Sequence, residues 1–427
     1  MTETKSDNTA SRKRLAYGMV MVILLLGLIA HVVRLQVSNG TGDFTYFYRA
    51  ARAMRNGEDL YAATNGHYIY PPFLAFAFQP LTLVSEQTAA IIWTALSAVF
   101  VFAAALVAAK EVAVRWCRPE VAIDPSIPWA IAAIAMILFT DEIHMMFILG
   151  QTDCLMLLAF ACALRWMDRK PLLAGIAIGA TASIKYLSLI FVPYLLIKKN
   201  CRAALASTLA FVFFMALPAT ELGFTRAAQY TTAEFRGLGR MLGVITATKR
   251  VKILRVTMTR SVSITSAIFR LTRSQGFPDW LAGLLLLLVF AAIMTAIISL
   301  CRHHDVLLFR ETKSDQPRAN AVASLEWAVL IFLATTFSPQ TTARHMVLLL
   351  LVSTVAVALL FAQKAKGARA LLITVMALMV AGLSLPPIPI DSWRAISGPS
   401  WCAIALILAI MFVGSRTISE MQSSKQD

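Results

Sequence analysis

The chain has 427 residues, of which 58% are hydrophobic and only 15% charged, and its net charge is +16. That composition excludes two or three soluble domains, because so much apolar surface has to face lipid. It also excludes nucleic acid as a partner by location, since the basic residues lie in loops between apolar stretches.

The first 14 residues read as a cytoplasmic tail that ends in Arg12, Lys13 and Arg14. The stretch from Leu15 to Val33 then carries no Asp, Glu, Lys or Arg. A span needs roughly 20 apolar residues to cross about 30 Å of hydrocarbon. No A-x-A-like cleavage site follows Val33, so the stretch reads as a retained anchor rather than a secretory signal. Further apolar stretches cover residues 87–109, 128–140, 154–164, 172–184, 187–197, 203–219, 280–300, 327–337, 346–361, 370–385 and 401–413. The three between 154 and 197 are too short to span alone. They must recruit flanking residues, tilt, or be broken by Pro193 or by the Gly175 and Gly179 pair.

Basic residues in the short loops at 165–170, 198–202 and 364–369, and in the loop after Cys301, all fall on the side of the basic N-terminus. By the positive-inside rule that side is cytoplasmic. The opposite face receives segments 34–86 and 220–279, a short turn around Asp141, the FSPQTTARH turn at 337–345 and the PPIPIDSW turn near 386–393. The predicted fold is an all-α integral membrane bundle of about 12 transmembrane helices, with short interfacial helices on the extracytoplasmic face. Residues 15–414 form one polytopic domain, with a second cytoplasmic tail at 415–427. The expected location is the cell (inner) membrane.

The six cysteines include no C-x-x-C pair, and none lies in a long outer loop, so neither a disulfide framework nor a zinc site is expected. Between Arg226 and Arg273 the chain carries ten Lys or Arg against one acid, Glu234. Long translocated segments escape the positive-inside rule. Within this one, residues 251–272 space Val251, Leu254, Met258, Val262 and Phe269 among basic residues, the pattern of an amphipathic helix in the headgroup region. Attraction to anionic lipid and a cradle for a lipid phosphate both fit it.

The chemistry concentrates just after the first span, in GDFTYFYRAARAMRNGEDLYAATNGHYIYPPF. Asp43 stands just outside the bilayer, on a helical face with Phe47 and Ala50. Gly57 and the Pro71–Pro72 pair mark turns, and Tyr61, Tyr68 and Tyr70 suit an interfacial belt or a sugar ring. An acid at a helix start serves more often as a cap than as a catalyst.

The whole segment, however, resembles glycosyltransferase family 87, polyprenyl-phosphate-mannose-dependent α-mannosyltransferase-like enzymes of GT-C fold. Asp43, Phe44, Phe47, Tyr48, Ala50, Ala51, Gly57, Asp59, Tyr61, Tyr68, Tyr70, Pro71 and Pro72 match the family's first motif in order. GQTDCLMLL at 150–158 is similar to a second motif and departs from it at Asp153, where the family has Asn. An acid there is either functional, kept neutral or paired, with Lys185 as a candidate partner. GATASIK at 179–185 is similar to a third motif and ends in that lysine, for which snorkelling to the interface is the bland reading. RSVSITSAIFRL at 260–271 retains Ser263 and Arg270 of a fourth motif. FSPQTTARH keeps Ser338, Pro339 and His345 of a last one, without its tryptophan and acid.

The resemblance implies a GT-C bundle with its active site at the outer face. It implies transfer of a hexose, mannose foremost, from a polyprenyl phosphate to an extracytoplasmic glycolipid or glycan acceptor, with inversion. Asp43 would be the catalytic base. Lys185, Arg270, Arg344 and His345 would hold the donor phosphate, and Tyr48, Tyr68, Tyr70, Gln151 and Asp153 would line the sugar and acceptor cleft. Neither cofactor nor metal is expected, and a monomer among membrane lipids is the expected state. A transporter or lipid-sugar flippase is the rival reading, although the acids gather at one rim and no internal repeat is found. A non-catalytic membrane scaffold is the third.

Overall fold

The computed structural model describes residues 2–117, 124–241, 255–310, 317–339, 341–384 and 392–423. Among them the regular elements are helices, joined by one isolated antiparallel bridge between Ser261 and Thr342. Eight helices are long and apolar enough to cross a membrane: Thr9–Ser38, Glu86–Trp116, Cys201–Leu222, Asp279–His303, Ala319–Phe337, Ala343–Ala362, Lys366–Leu383 and Gly398–Met421. Ile127–Leu138 and Thr140–Ile148 form a ninth only if a pair bent by 65° is counted as one span. The chain is thus a multi-pass membrane protein.

All twelve predicted stretches fall on helices, yet the eight long ones, or nine with the bent pair, are fewer than the 12 expected. Length is the reason. Asp153–Trp166, Pro171–Ala182 and Tyr186–Ile197 are too short to cross alone. The predicted turn around Asp141 is instead the Thr140–Ile148 helix.

The proposed breaks also move. The Pro171–Ala182 helix runs unbroken through Gly175 and Gly179. These glycines form a close-packing face, because a Cβ on either would clash with a carbonyl of the Cys201–Ala216 helix, that of Ala203 or of Ser207. Pro193 lies in the first turn of Phe191–Ile197, where proline is tolerated. The chain turns at residues 183–185, so Lys185 stands at the tip of a hairpin.

Hydrogen bonds sort the loops into two ends. At one, Asn200 donates to the Met167 carbonyl, Arg115 reaches the carbonyls of Leu164 and Asn320, and Lys198 pairs with Glu326. Lys13 and Arg14 are within electrostatic reach of Asp124 at this end. The other end gathers segment 40–86, the turn at 149–153, Lys185, segment 261–266, residues 341–345 and residues 394–400. The six cysteines are free thiols.

Part of the predicted amphipathic helix lies outside the described residues (242–254, which include Val251 and Leu254), as does most of the PPIPIDSW turn. The described remainder is the shorter helix Ile264–Ser274, with Ile264 and Phe269 buried and Arg273 ion-paired to Asp279. Val262 is buried as well. These residues pack into the protein rather than lying free in the headgroup layer.

Glu234, the acid of the basic segment, is buried in the helix Phe224–Met241 and accepts a hydrogen bond of 2.9 Å from the Tyr186 phenol. Burial pushes this carboxyl from its ordinary 4.5 up to about 8, opposed only in part by that bond. The folded chain therefore holds a proton that the unfolded chain releases between those values. The stabilisation is complete below the unfolded value and is lost as pH rises through about 8. The unfolding free energy in detergent should fall for wild type relative to Glu234→Gln across that window, by at most about 1.4 kcal/mol per pH unit, read as a falling thermal midpoint. Parallel curves for the two proteins would contradict the burial.

Candidate active site

The helix Phe44–Arg55 forms because Phe44, Phe47, Tyr48, Ala51 and Met54 recur at three- and four-residue spacing and bury one face. Its arginines at 52 and 55 lie in the last turn, where the helix dipole favours cations, and Gly57 closes it at φ +72°. Asp43 occupies the capping position but its side chain makes no cap hydrogen bond. Asp59, by contrast, accepts from the Tyr61 and Ala62 amides at 2.9 and 3.0 Å and is a true cap. Two acids of one motif are thereby given different work.

The Asp43 carboxylate turns toward two distant segments. Its Oδ2 accepts from Gln151 Nε2 at 2.7 Å and pairs with an Arg344 terminal nitrogen at 2.8 Å. The side chain remains 34% exposed, enough for a substrate hydroxyl to reach it. Two glycines bring the segments together. A Cβ on Gly42 (φ +63°) would lie 2.7 Å from the Ile148 carbonyl, and one on Gly150 (φ +62°) 2.6 Å from Phe44 Cβ. Each loop therefore presents a glycine in the left-handed region where the other presses closest. Trp93 ties the second loop down by donating to the Gly150 carbonyl at 3.0 Å.

Next to this group lies a buried ion pair. Both oxygens of Asp153, which is 1% exposed, accept from Lys185 Nζ at 2.9 and 2.8 Å. Arg344 and His345 lie within electrostatic reach of Asp153. Lys185 also stands 5.8 Å from the centre of the Tyr70 ring, a cation–π distance. The Tyr70 phenol feels Lys185, Arg344, Asp153 and Asp43 together, and burial raises it above its ordinary value.

His345 sits in the short helix Ala343–Leu348, where Nδ1 accepts from the Thr342 amide at 3.1 Å. In the neutral ring this fixes the proton on Nε2, a donor. Two buried atoms here, Arg344 Nε and Thr152 Oγ1, have no hydrogen-bond partner among the described residues. Such atoms are costly unless water or a ligand meets them.

The structure thus gathers Asp43, Tyr70, Gln151, Asp153, Lys185, Arg344 and His345, and it places three other predicted residues in supporting positions. The buried Tyr48 phenol donates to the Val84 carbonyl at 2.7 Å. That of Tyr68, fully buried, donates to Pro71 and accepts from the Ala75 amide, fastening the proline turn. Arg270 donates to the carbonyls of Met258, Ser261, Arg394 and Ala395. These bonds make it a clasp between outer segments. Thr152 was missed by sequence reasoning, although it lies inside GQTDC; a threonine before an acid carries no signal of an unpartnered hydroxyl. Among the described residues no group of three or more His, Cys, Asp and Glu is arranged to hold a metal ion.

Breaking the buried pair from one side should be severe. Lys185→Met strands the Asp153 charge and is expected to cost about 3–5 kcal/mol, seen as a lower thermal midpoint in detergent. Adding Asp153→Asn should recover most of that loss. A single variant as stable as wild type would contradict the burial of the pair. Gly150→Ala, strained by both φ and contact, should lose about 1–3 kcal/mol in the same assay.

A family model described as glycosyltransferase family 87 matches residues 68–314. The match contains Tyr70, Gln151, Asp153 and Lys185, which the fold joins to Asp43 and Arg344 outside it. The polyprenol-phosphate-mannose-dependent alpha-(1-2)-phosphatidylinositol mannoside mannosyltransferase of Mycolicibacterium smegmatis (strain ATCC 700084 / mc(2)155) is 25% identical over 396 residues, covering 87% of this chain and 84% of its own. No solved structure matches. With more than half of its length matched, the chain belongs to glycosyltransferase family 87 and is a membrane glycosyltransferase.

Proposed function

We propose that this enzyme transfers a hexose, mannose foremost, from a polyprenyl-phosphate donor to a hydroxyl of a lipid-linked acceptor, with Asp43 as the catalytic base. The observation that carries the proposal is the Asp43 carboxylate, released from any capping role, reachable from solvent, and fixed between Gln151 and Arg344. The name of the Mycolicibacterium smegmatis relative supports the donor and the class of acceptor.

In the reaction, Asp43 takes the proton of the acceptor hydroxyl as its oxygen attacks the anomeric carbon. The bond from that carbon to the phosphate oxygen breaks, with inversion, and the electron pair leaves on the phosphate. Lys185, the unpartnered Nε of Arg344 and the Nε2 proton of His345 meet the charge that develops there. The polyprenyl tail stays in lipid along the apolar exterior, so donor and acceptor approach from the plane of the membrane. The reaction so written uses no cofactor and no metal. The end of the bundle carrying Asp43 faces out of the cytoplasm, since the basic short loops collect at the other end.

The test is transfer by the purified protein in detergent, supplied with radiolabelled polyprenyl-phosphate mannose and a membrane lipid extract. Label should move into a lipid-soluble product from which α-mannosidase releases it. Uptake of the donor by protein in liposomes, with no sugar transferred, would overturn the reading in favour of a carrier.

A further inference from the structure

We infer that Gln151, itself oriented by Tyr70, is the positioning residue of Asp43: it pins Oδ2 and leaves Oδ1 as the atom that accepts the proton. The inference rests on Asp43 being the base, as proposed above. Gln151 was expected to line the sugar cleft, yet both ends of its amide are engaged within the protein. Nε2 donates to Asp43 Oδ2 at 2.7 Å, and Oε1 accepts from the Tyr70 phenol at 3.1 Å. The side chain is 1% exposed.

Chemistry dictates which way round the amide lies. An ionised carboxylate only accepts, so the NH2 group must face Asp43 and Oε1 must face away. Oε1 then needs a donor, and the Tyr70 hydroxyl is that donor. Burial keeps the phenol protonated across the physiological range. The Tyr70 ring is in turn held edge-on to Phe47 at 5.0 Å and lies beside Lys185. Phe47 is one turn from Asp43 on the same helix, so the chain of contacts closes on itself.

The backbone supports the same conclusion. Gln151 follows Gly150, whose left-handed turn packs on Phe44, and its own amide donates to the Met146 carbonyl at 3.0 Å. Residues 43 and 151 are 108 apart in sequence, yet the reciprocal glycine contact sets their separation. Among the described residues, Gln151 and Arg344 both reach Oδ2. A neutral amide fixes the direction of a carboxylate while leaving its charge in place. That is what a base needs from its support.

Two measurements test this. The first needs no substrate: a double-mutant cycle on the thermal midpoint in detergent, with Gln151→Ala, Asp43→Ala and both together. The two losses should be less than additive, since either change breaks the same bond. Strict additivity overturns the positioning role while leaving Asp43 free to be the base.

The second is a pH series of kcat and KM for wild type, Gln151→Ala, Gln151→Glu and Tyr70→Phe. Gln151→Ala should lose about tenfold to a hundredfold in kcat at nearly constant donor KM, the range of a hydrogen bond to a charged group. Tyr70→Phe keeps the ring and should show a smaller loss of kcat. Gln151→Glu keeps the size but sets an acid against Asp43, so the acid limb of the rate profile should move up by about one unit or more. An unmoved limb, or a raised KM at unchanged kcat, overturns the inference and makes Gln151 a sugar contact. Full activity in Asp43→Ala would instead remove the reading on which it rests.

Discussion

Everything at the candidate site depends on how one carboxylate is held. Asp43 begins a helix that it does not cap, and its Oδ2 is fixed by an amide from the 149–152 turn and a guanidinium from the Ala343–Leu348 helix. Three segments far apart in sequence must converge for that geometry to exist. Paired glycines at 42 and 150 allow the first two to approach, and the bridge from Ser261 to Thr342 steadies the third. The long helices position these short loops and leave the chemistry to them.

The second constraint is charge balance in a poorly hydrated place. Asp43 faces Arg344 and Asp153 faces Lys185, so the cluster gathers two carboxylates and two cations without a net charge. A buried pair of this kind contributes little net stability, because desolvation offsets attraction. Lys185, Arg344 and His345 all stand within electrostatic reach of Asp153, and the His345 Nδ1 is taken up by the Thr342 amide. In the proposed reaction such a group of donors meets the phosphate of a lipid carrier.

Much of this was legible in the sequence, for identifiable reasons. The helical stretches follow from apolar runs, and the sorting of loops follows from their charge. Asp43 stood out by its motif, and the pairing of Asp153 with Lys185 followed from the cost of an acid at a span start. The number of true spans was less legible, because an apolar run of 12 residues reads alike in a crossing helix and in a hairpin such as Pro171–Ala182 with Tyr186–Ile197. Gly175 and Gly179 looked like breaks because sequence does not show the neighbouring helix they touch. Arg270, Tyr48 and Tyr68 share the chemistry of site residues, and only the structure shows that their hydrogen bonds go mainly to backbone carbonyls. Gln151 could be named from its motif, but its role depends on Tyr70 and on which end of an amide meets a carboxylate.

The measurement that bears most directly on this account is the rate of sugar transfer by Asp43→Asn, with donor binding measured on the same protein. Asparagine keeps the size and can still pair with Gln151, but it cannot take a proton. The account predicts that donor binding survives while kcat falls by a factor on the order of a hundred to ten thousand, the usual contribution of a general base. Transfer at the wild-type rate would contradict it and move the search for the base to another carboxylate of the same end.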